Sequence, residues 1–594
     1  MFSKVLVANR GEIAIRVMRT LEEMGIASVA VYSELDRDAL HVQRADESYL
    51  LGGPTAAESY LKIDKIIEVC KESGAEAVHP GYGFLAENAA FARACDEAGI
   101  VFIGPPASAI DAMGSKTKAR ELMQAAGVPI VPGTTEAVDT LDDALRIATD
   151  EIGFPVAVKA ASGGGGKGFR VALTEDKLKD AFEGASREGE KFFSDGTVYL
   201  ERYLPDPRHV EVQILADRHG NVIHLGERDC SVQRRHQKLI EESPAPAVDA
   251  QLREKIGKIG TDAARAVDYV GAGTIEGMLQ DGEYFFLEMN TRVQVEHCVT
   301  EMTTGIDIVR EGILAAAGEP LSVTQDEVEL RGHAIECRIN AEDASRKFSP
   351  APGKIGHYKE PSGPGVRVDS GVGPGGEVTP MYDPMVAKLI VWDKDRDSAT
   401  KRMLRALGEY EIEDLKTLIP FHKALLASDQ WANAETCRDL VEDQDWLKTL
   451  AFPAPKPPSD HDGPETVEQA YTVEVSGRRF DVKVIGPPPV GGVVVGTGNG
   501  AAPAPKKRGE RKSSSGGGAD ELVSPLQGNM WKVLVKQGDA VEEGQLLCII
   551  EAMKMENEIT AHKAGVVETL SITEGEPIQA GAPIAVIKST AAAE

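Results

Sequence analysis

Apolar and polar residues alternate along the first part of the chain in a way that predicts strands separated by helices. Four short apolar runs have the length of buried strands, at residues 5–8, 28–32, 77–78 and 100–104. Apolar residues from Ile13 to Met18 recur instead with the spacing of one helix face. Because strands that alternate with helices pair in parallel, we predict a parallel α/β domain over residues 1–113.

The pattern changes twice further along the chain. Glycine-rich loops and strand hairpins dominate residues 114–320, and a mixed α/β pattern follows over residues 331–446. Both regions have enough apolar positions to build cores of their own.

A linker follows. There are ten prolines between residues 451 and 505 and nine glycines between residues 491 and 518. Such a composition cannot repay the entropy lost on ordering, so we predict a flexible linker over residues 447–520. Two β-rich runs flank Ser476 and predict one short hairpin at residues 471–484.

The tail, residues 521–588, contains an internal repeat. A shift of 37 positions places glycine on glycine, as at Gly528 and Gly565 or Gly544 and Gly581, and apolar residues on apolar residues. A duplicated pattern of short strands and glycine turns predicts two similar halves packed as a flattened β-barrel or sandwich.

One lysine lies between the two halves of this repeat, in the sequence Ala552-Met553-Lys554-Met555. A lysine on such a connection is expected to be exposed. Two methionines beside it would be exposed to water without packing against other apolar groups, which is unfavourable in free energy. This combination indicates a functional lysine rather than an ordinary surface charge.

The composition narrows the function classes. Acids outnumber bases 94 to 65, and the net charge of −29 repels nucleic-acid phosphates and anionic membranes. Seven scattered cysteines without a CxxC pair argue against a disulfide scaffold or a Cys-based zinc site. We find neither a signal-peptide core nor an apolar run of about 18 residues. The expectation is a cytoplasmic enzyme that binds no nucleic acid and no membrane.

A glycine run follows a predicted strand at residues 156–160. Its members are Gly163, Gly164, Gly165, Gly166 and Gly168. A Walker loop would need glycine at position 161 and Ser or Thr at position 168, and the chain has neither. A dinucleotide-binding fold would need a helix next, but residues 169–173 have the pattern of a strand. The sequence favours a glycine flap between two strands, closing over the triphosphate of ATP.

Two predicted strands, at residues 274–279 and 284–290, are joined by a tight turn. In a symmetric hairpin Glu276 lies opposite Glu288, and Asn290 shares their face. Opposed carboxylates repel unless a cation lies between them, and oxygen ligands beside a nucleotide suit Mg²⁺ or Mn²⁺. A solvated acidic hairpin is the alternative.

The same alternation, continued past Asn290, would place Arg292, Gln294 and Glu296 on one side. Donors and a base in one row suit the binding and deprotonation of a small oxyanion. Upstream, residues 227–238 are too densely cationic for a core, and more so than a surface loop needs.

These stretches together resemble biotin carboxylase, an ATP-grasp enzyme, over residues 1–446. The motifs that carry the resemblance are HPGYGFLAEN at 79–88, the glycine loop at 162–168, the basic run at 228–238 and FLEMNTRVQVEH at 286–297. The tail resembles a biotinyl domain, whose attachment motif is Ala-Met-Lys-Met. The fusion of the two resembles the alpha subunit of a bacterial acyl-CoA carboxylase of the acetyl- or propionyl-CoA type.

The resemblance implies a fold for each region. An N-terminal α/β domain would span residues 1–113, an ATP-grasp domain 114–320 and a mixed α/β C-terminal domain 331–446. After the linker, an all-β biotinyl domain would span residues 521–588.

The resemblance also implies roles for individual residues. ATP would be held by Lys116, Lys159, the glycines at 163–166 and 168, Glu201, His209, Gln233 and His236, with Glu276 and Glu288. The metal ligands would be Glu276, Glu288 and Asn290. Bicarbonate would contact Lys238, Arg292, Gln294 and the Val295 backbone, with Glu296 as general base. Arg338 would stabilise the biotin enolate, and Lys554 would carry biotin through an amide. Lys238, Arg292, Glu296 and Arg338 are the implied catalytic residues.

In the implied reaction, bicarbonate attacks the γ-phosphate of ATP, and the resulting carboxyphosphate yields the CO₂ that biotin accepts. Positioning and charge neutralisation supply most of that catalysis. Since the sequence contains no second catalytic region, we expect a separate carboxyltransferase beta subunit. A biotin protein ligase would modify Lys554, and a homo-oligomer within a larger complex is expected.

Three alternatives remain at this point. The chain could belong to a pyruvate carboxylase or another biotin-dependent carboxylase. It could be a different ATP-grasp ligase that joins a carboxylate to an amine or thiol, against which the Lys554 motif argues. It could be a carrier or scaffold without catalysis, against which the complete ligand set from Lys116 to Arg338 argues. The acyl chain length is not encoded in this polypeptide, because that pocket lies on the partner.

Overall fold

The computed structural model describes most of the chain. The described residues are 1–134, 136–160, 168–193, 196–235, 237–452, 467–475, 478–486, 520–526, 528–552, 555–578 and 581–588. The glycines at 163–166, His236 and Lys554 therefore lie outside the described residues, as does the side chain of Lys116.

The N-terminal region is a five-stranded parallel sheet with helices between its strands, as the sequence pattern predicts. The strand order is Glu47–Gly52, Ala27–Ser33, Lys4–Val7, Ala77–His79 and Val101–Phe102. The helices are Gly11–Glu23, Leu40–Arg44, Ile63–Ser73, Ala89–Glu97 and Ala107–Gly114. Glu47–Gly52 lies at the sheet edge and is half exposed, so it lacks the apolar run that marks the other strands.

A small antiparallel sheet contains the strands on either side of the glycine loop. Its order is Phe169–Ala172, Val156–Ala160 and Val198–Arg202, and the helices of this region are Lys116–Ala125, Leu141–Ile147, Ala148–Ile152 (a π-turn) and Glu175–Phe193. Lys159 pairs with Phe169 across the loop. The predicted strand after the glycines is confirmed, which excludes the helix that a dinucleotide fold requires.

An eight-stranded antiparallel sheet carries most of the remaining predicted site residues. Its order is Glu283–Asn290, Gly271–Gln280, Arg208–Ala216, Val222–Arg234, Gln237–Ser243, His333–Asn340, Met385–Asp393 and Val366–Ser370. Ile240 pairs with Cys337, so one continuous sheet crosses the region between residues 320 and 331. Site residues from both sides of that region are thereby fixed on one scaffold.

Helices cover this sheet and complete its cores. They are Ala250–Arg265, His297–Thr304, Ile308–Ala316, Arg396–Glu409, Ile419–Leu426, Asp429–Ala432, Arg438–Glu442 and Gln444–Lys448. Short strand pairs join Glu342–Asp343 to Ser349–Pro350, Gly353–Lys354 to Glu377–Val378 and Tyr358–Lys359 to Glu411–Ile412. Single 3₁₀ turns are at Glu34–Asp36, Ala56–Glu58, Gln325–Glu327 and Ala344–Arg346. Ile240, Cys337, Leu389 and Phe421 are among the fully buried residues of the largest core.

The tail forms two four-stranded antiparallel sheets. One has the order Glu521–Val523, Pro583–Lys588, Gly565–Leu570 and Ala540–Val541, and the other Met555–Thr560, Leu546–Ala552, Gly528–Val533 and Pro577–Ile578. A shift of 37 converts Gly528–Val533 into Gly565–Leu570 and Ala540–Val541 into Pro577–Ile578. Each sheet contains strands from both halves, so the predicted duplicated β-sandwich is confirmed.

The predicted linker hairpin is also present. Val467–Val475 pairs antiparallel with Arg478–Gly486, which is longer than the predicted residues 471–484. Of the predicted linker 447–520, residues 453–466, 476–477 and 487–519 lie outside the described residues, while residues 447 and 448 belong to the helix Gln444–Lys448. Among the helices of the described part of the chain, none has the length and apolar character needed to cross a membrane.

Candidate active site

The hairpin of Gly271–Gln280 and Glu283–Asn290 sets the position of the predicted metal ligands. Glu276 lies directly opposite Glu288, as predicted, but the pairing nearer the turn is offset by one residue. The offset is absorbed between Glu276 and Gly277, where Leu287 has no cross-strand partner. The bulge therefore restores the predicted register at the acidic pair. The predicted pairing is correct, although the hairpin is not symmetric as the prediction assumed.

Glu276 is the better connected of the two acids. It is buried and accepts hydrogen bonds from Asn290 Nδ2, at 2.7 Å, and from Gln294 Nε2. Burial alone would raise its pKa, but Lys238 and His209 outweigh burial and hold the pKa well below the ordinary value. Glu276 is therefore an anion at neutral pH. With Glu288 opposite and exposed, these oxygens have the chemistry that a hard divalent cation requires.

Lys238 connects three buried carboxylates. Its ammonium lies 2.6 Å from Glu211, 2.9 Å from Glu276 and 2.5 Å from Glu296. Burial would lower the pKa of Lys238, but the carboxylates hold it well above the ordinary value, so the side chain stays cationic. A fixed positive charge at this position can bind a small anion.

Arg228 has no exposed surface, which contradicts the expectation that residues 227–238 are too cationic for a core. Its Nε donates to Glu211 at 2.5 Å, and its Nη1 and Nη2 donate to Gln213 at 2.8 Å and Gln294 at 3.0 Å. Further hydrogen bonds go to Thr274 and Thr300. The charge is tolerated because a carboxylate from a neighbouring strand balances it. Arg228 thus fixes both Glu211 and Gln294.

Glu296 lies between two cations. One carboxylate oxygen contacts Lys238, and the other accepts from Arg338 Nη2 at 2.9 Å. Despite complete burial, Lys238 and Arg338 hold the pKa of Glu296 well below its ordinary value. Arg338 is within the strand His333–Asn340, and its Nε donates to Glu241 at 2.6 Å.

The row of side chains after Asn290 does not form by strand alternation. The strand ends at Asn290, and residues 291–296 are bends and turns. Arg292 still reaches the site, because its Nη2 donates to Asn290 Oδ1 at 2.8 Å while Nε donates to Glu87 at 2.9 Å. The prediction of one continued strand is wrong, although the side chains it named converge on the same site.

Two of the predicted ATP ligands, Lys159 and Glu201, form a second cluster. Lys159 contacts Glu201, and Arg120 Nη1 donates to the other Glu201 oxygen at 2.9 Å. Gly168 has a φ of +73°, and a Cβ there would lie 2.6 Å from the Ala160 Cβ, so this end of the loop requires glycine. Lys116 is the first residue of the helix Lys116–Ala125.

His209 and Gln233 are placed on neighbouring strands of the large sheet. His209 Nε2 lies 2.9 Å from Glu276 Oε2. Gln233 pairs with Lys238 in the register of Val222–Arg234 and Gln237–Ser243. His209 therefore contacts a predicted metal ligand, and Gln233 is the strand partner of a predicted anion ligand.

Sequence reasoning missed two carboxylates that organise the site. Glu211 accepts from both Arg228 and Lys238, and Glu241 accepts from Arg338. A signal for Glu211 exists, since His209, Glu211 and Gln213 alternate along an otherwise apolar strand. Glu241 has no such signal, because its partner Arg338 is 97 residues away.

The strands Leu546–Ala552 and Met555–Thr560, which come before and after the predicted attachment lysine in the sequence, pair antiparallel, with Ala552 opposite Met555. Lys554 itself lies outside the described residues. The hairpin connects the two repeated halves, as the sequence predicts.

Comparison with known families accounts for nearly the whole chain. Residues 1–110 match the biotin carboxylase N-terminal domain, 115–324 the ATP-binding domain of the carbamoyl-phosphate synthase L chain, and 336–443 the biotin carboxylase C-terminal domain. Residues 520–587 match the domain described as biotin-requiring enzyme.

Curated relatives extend this result. A pyruvate carboxylase subunit of Methanothermobacter thermautotrophicus is 54% identical over 443 residues, which is 75% of this chain and 90% of that protein. The biotin-dependent acyl-coenzyme A carboxylase alpha3 subunit of Mycobacterium leprae is 44% identical over 99% of this chain and 98% of that protein.

Among solved structures, the biotin carboxylase domain dimer of Hydrogenobacter thermophilus 2-oxoglutarate carboxylase, in complex with MgADP, ADP and bicarbonate, matches with a TM-score of 0.69 and 46% identity. The match covers 76% of this chain and all of that one. The chain belongs to the biotin carboxylase family, as an ATP-dependent carboxylase with a fused biotin carrier domain.

Proposed function

We propose that this chain is the alpha subunit of an acyl-CoA carboxylase. It would use ATP and bicarbonate to carboxylate biotin held on its own Lys554, and a separate carboxyltransferase beta subunit would pass the carboxyl group to acetyl-CoA or propionyl-CoA.

One observation carries the choice of class. The acyl-CoA carboxylase alpha relative aligns with 99% of the chain, including the linker and the carrier domain, whereas the pyruvate carboxylase relative aligns with 75%. In this resemblance the linker connects the carboxylase region to the carrier domain. A match through it favours the same kind of partner subunit.

The binding of ATP and its metal would use both clusters. Lys116, Lys159, Glu201, Gln233, His236 and the glycines at 163–166 and 168 would surround the nucleotide, with His209 linking it to Glu276. Glu276, Glu288 and Asn290 would hold Mg²⁺ or Mn²⁺. The bound cation would neutralise phosphate charge, and the protein's part is to hold the oxygens in place.

Bicarbonate would bind between Lys238, Arg292, Gln294 and the Val295 backbone. In the described arrangement Lys238 contacts three carboxylates, and the low pKa of Glu296 makes it a weak base. An incoming anion that contacts Lys238 would draw its charge away from Glu296, which raises the basicity of that carboxylate where the bicarbonate proton lies. Binding and activation of the base would therefore be coupled.

Arg338 would act on the carboxyl acceptor. Its guanidinium is fixed by Glu241 at Nε and by Glu296 at Nη2. A preorganised cation at the point where negative charge develops lowers the barrier without reorganisation cost.

The carrier and the partners complete the proposal. A biotin protein ligase would attach biotin to Lys554, and residues 447–520 would let the carrier move between sites. We place the carboxylase domains at residues 1–113, 114–320 and 331–446 and the carrier at 521–588. A homo-oligomer within a larger cytoplasmic complex is expected, because the Hydrogenobacter thermophilus relative is a dimer.

The experiment isolates the half-reaction. The purified, biotinylated chain should cleave ATP in a bicarbonate-dependent manner and should not carboxylate propionyl-CoA alone. Adding the transferase subunit that co-purifies from the native host should start acyl-CoA carboxylation. Carboxylation of propionyl-CoA without any added subunit would overturn the assignment.

A pyruvate carboxylase is the second candidate, and the 54% identity to a pyruvate carboxylase subunit favours it. The same reconstituted complex separates the two, because only a pyruvate carboxylase would convert pyruvate to oxaloacetate at a rate above that with acetyl- or propionyl-CoA.

A further inference from the structure

A second pair of glutamates lies opposed in the large sheet, behind Arg338. Glu241 and Glu336 are direct cross-strand partners on Gln237–Ser243 and His333–Asn340. Neither has any exposed surface. Directly opposite side chains in an antiparallel pair have Cβ atoms about 5 Å apart, which places two carboxyl groups within reach of each other.

The hydrogen bonds of this pair are incomplete. Glu241 Oε1 accepts from Arg338, but Glu241 Oε2 and both oxygens of Glu336 lack a hydrogen-bond partner among the described residues. A buried carboxylate without partners is costly. A single O–H···O hydrogen bond between the two groups would satisfy Glu241 Oε2 and one oxygen of Glu336, and it requires one proton.

The nearby charges also require added protons. Arg338 and Lys388 are cross-strand partners, and they are the cations among four carboxyl groups, namely Glu296, Glu241, Glu336 and Glu12. Lys388 is itself committed to the Val295 carbonyl, at 2.8 Å, and to Glu12, at 3.3 Å. Lys238 contacts Glu296 from its other side. Among the described residues, the charged and titratable groups that act on the pair are Arg338, Lys238, Lys388, Glu296, Cys230, Cys298 and Cys337, and Glu12 and Asp369 act on Lys388.

We propose that Glu241 and Glu336 share one proton and together position Arg338. The ionised member, Glu241, holds the guanidinium at Nε, and the protonated member, Glu336, keeps a second negative charge away from it. Burial raises the pKa of Glu241 to about 7 and that of Glu336 well above its ordinary range, in agreement with this division. The inference rests on the role of Arg338 in the proposed function.

The consequence is an alkaline limit to catalysis. When the shared proton is lost, the pair carries two negative charges beside Arg338, which cancel the field that the guanidinium exerts on the carboxyl acceptor. The rate should then fall with rising pH. Replacing Glu336 by its neutral isostere should remove this fall.

The test compares E336Q with the wild-type, biotinylated full chain. At pH 7 E336Q should keep kcat for bicarbonate-dependent ATP cleavage within about twofold, and the alkaline fall of kcat should be absent. E342Q is the matched control. Glu342 is equally buried and burial raises its pKa to about 7, but Arg338 makes no contact with it, so E342Q should keep the alkaline limb.

A spectroscopic measurement is independent of activity. Infrared difference spectra between acid and alkaline pH should show the C=O band of a protonated carboxyl group in the wild type. The band should lose amplitude in E336Q and in E241Q. If the chain shows no bicarbonate-dependent ATP cleavage, the proposed function fails. The spectra would still show whether Glu241 and Glu336 share a proton.

Two results would overturn the inference. One is an E336Q enzyme whose alkaline limb and infrared spectrum both match the wild type. The other result concerns E336L, a second variant that replaces E336Q in the test if E336Q does not fold. Because the replaced group carries no charge, E336L should keep activity within about tenfold, and a loss of more than about 100-fold in a folded protein would contradict a neutral Glu336.

Discussion

In the eight-stranded sheet Glu276 lies opposite Glu288 and Glu241 lies opposite Glu336, and the surroundings of these two pairs differ. Glu276 and Glu288 are flanked by Lys238, Asn290 and His209, and Glu288 is exposed. Glu241 and Glu336 are fully buried, and Glu336 has no hydrogen-bond partner among the described residues.

Opposed acids alone therefore do not define a metal site. Cationic and amide neighbours keep the pKa of Glu276 low, so its oxygens are available as charged ligands. Burial raises the pKa of Glu336, so in our proposal a proton rather than a metal ion satisfies that pair. The same geometry supports two chemistries, and the neighbours decide between them.

The largest effect should follow from Lys238→Met. This change removes the cation shared by Glu211, Glu276 and Glu296. It should lower bicarbonate-dependent ATP cleavage by about 10³-fold, because an anion site loses its charge and three carboxylates are left to repel one another. Steady-state kinetics with saturating bicarbonate measures the loss. Activity within tenfold of the wild type would show that Lys238 is not part of the anion site.

A smaller effect is expected for the exposed member of the metal pair. Glu288→Gln should raise the Mg²⁺ concentration needed for half-maximal activity by about 10- to 100-fold, since one charged ligand becomes neutral. Glu283→Gln, an exposed acid on the same strand, is the control and should leave the Mg²⁺ requirement unchanged. Identical Mg²⁺ titrations of the two variants would show that Glu288 binds no metal.

In the second pair, Glu241→Gln should reduce kcat by about tenfold with little change in the KM for ATP. The neutral amide still reaches Arg338 but holds its guanidinium less firmly, which loosens a charge-assisted hydrogen bond. Glu242→Gln changes the next residue, which His333 and Arg396 hold elsewhere. Glu242→Gln should therefore leave kcat unchanged. Equal losses in both variants would point to a general folding defect instead.

The smallest effect is on stability. The folded Glu342 carboxyl keeps its proton to about pH 7, whereas the ordinary pKa is 4.5. The folded chain thus binds more protons between these values, so the free energy of unfolding falls as pH rises from 4.5 to 7, by about 3 kcal/mol at most. Glu342→Gln should flatten this part of the Tm profile of the carboxylase region. A Tm profile of the same slope would show that Glu342 is ionised throughout.

Local patterns predicted much of this molecule. The repeat with a shift of 37 predicted the strands Gly528–Val533 and Gly565–Leu570, because both halves have apolar residues and glycine turns at equivalent positions. The acidic pair of the hairpin was also predictable, although the bulge at Leu287 was not.

Features that depend on distant partners escaped prediction. Arg228 looked too polar to be buried because its balancing carboxylate, Glu211, is on another strand. Glu336 looked like an ordinary strand residue, since its opposed partner Glu241 is 95 positions away. Electrostatic balance of this kind arises only when the sheet is assembled.

The central proposal is that this chain transfers a carboxyl group to biotin on its own Lys554, and this transfer can be measured directly. The biotinylated chain should be incubated with ATP, Mg²⁺ and ¹⁴C-bicarbonate, then digested and mapped by mass spectrometry and scintillation counting. We expect ATP-dependent label on the Lys554 peptide and none in Lys554→Arg. Absence of label on a peptide that mass spectrometry shows to be biotinylated would contradict the proposed function.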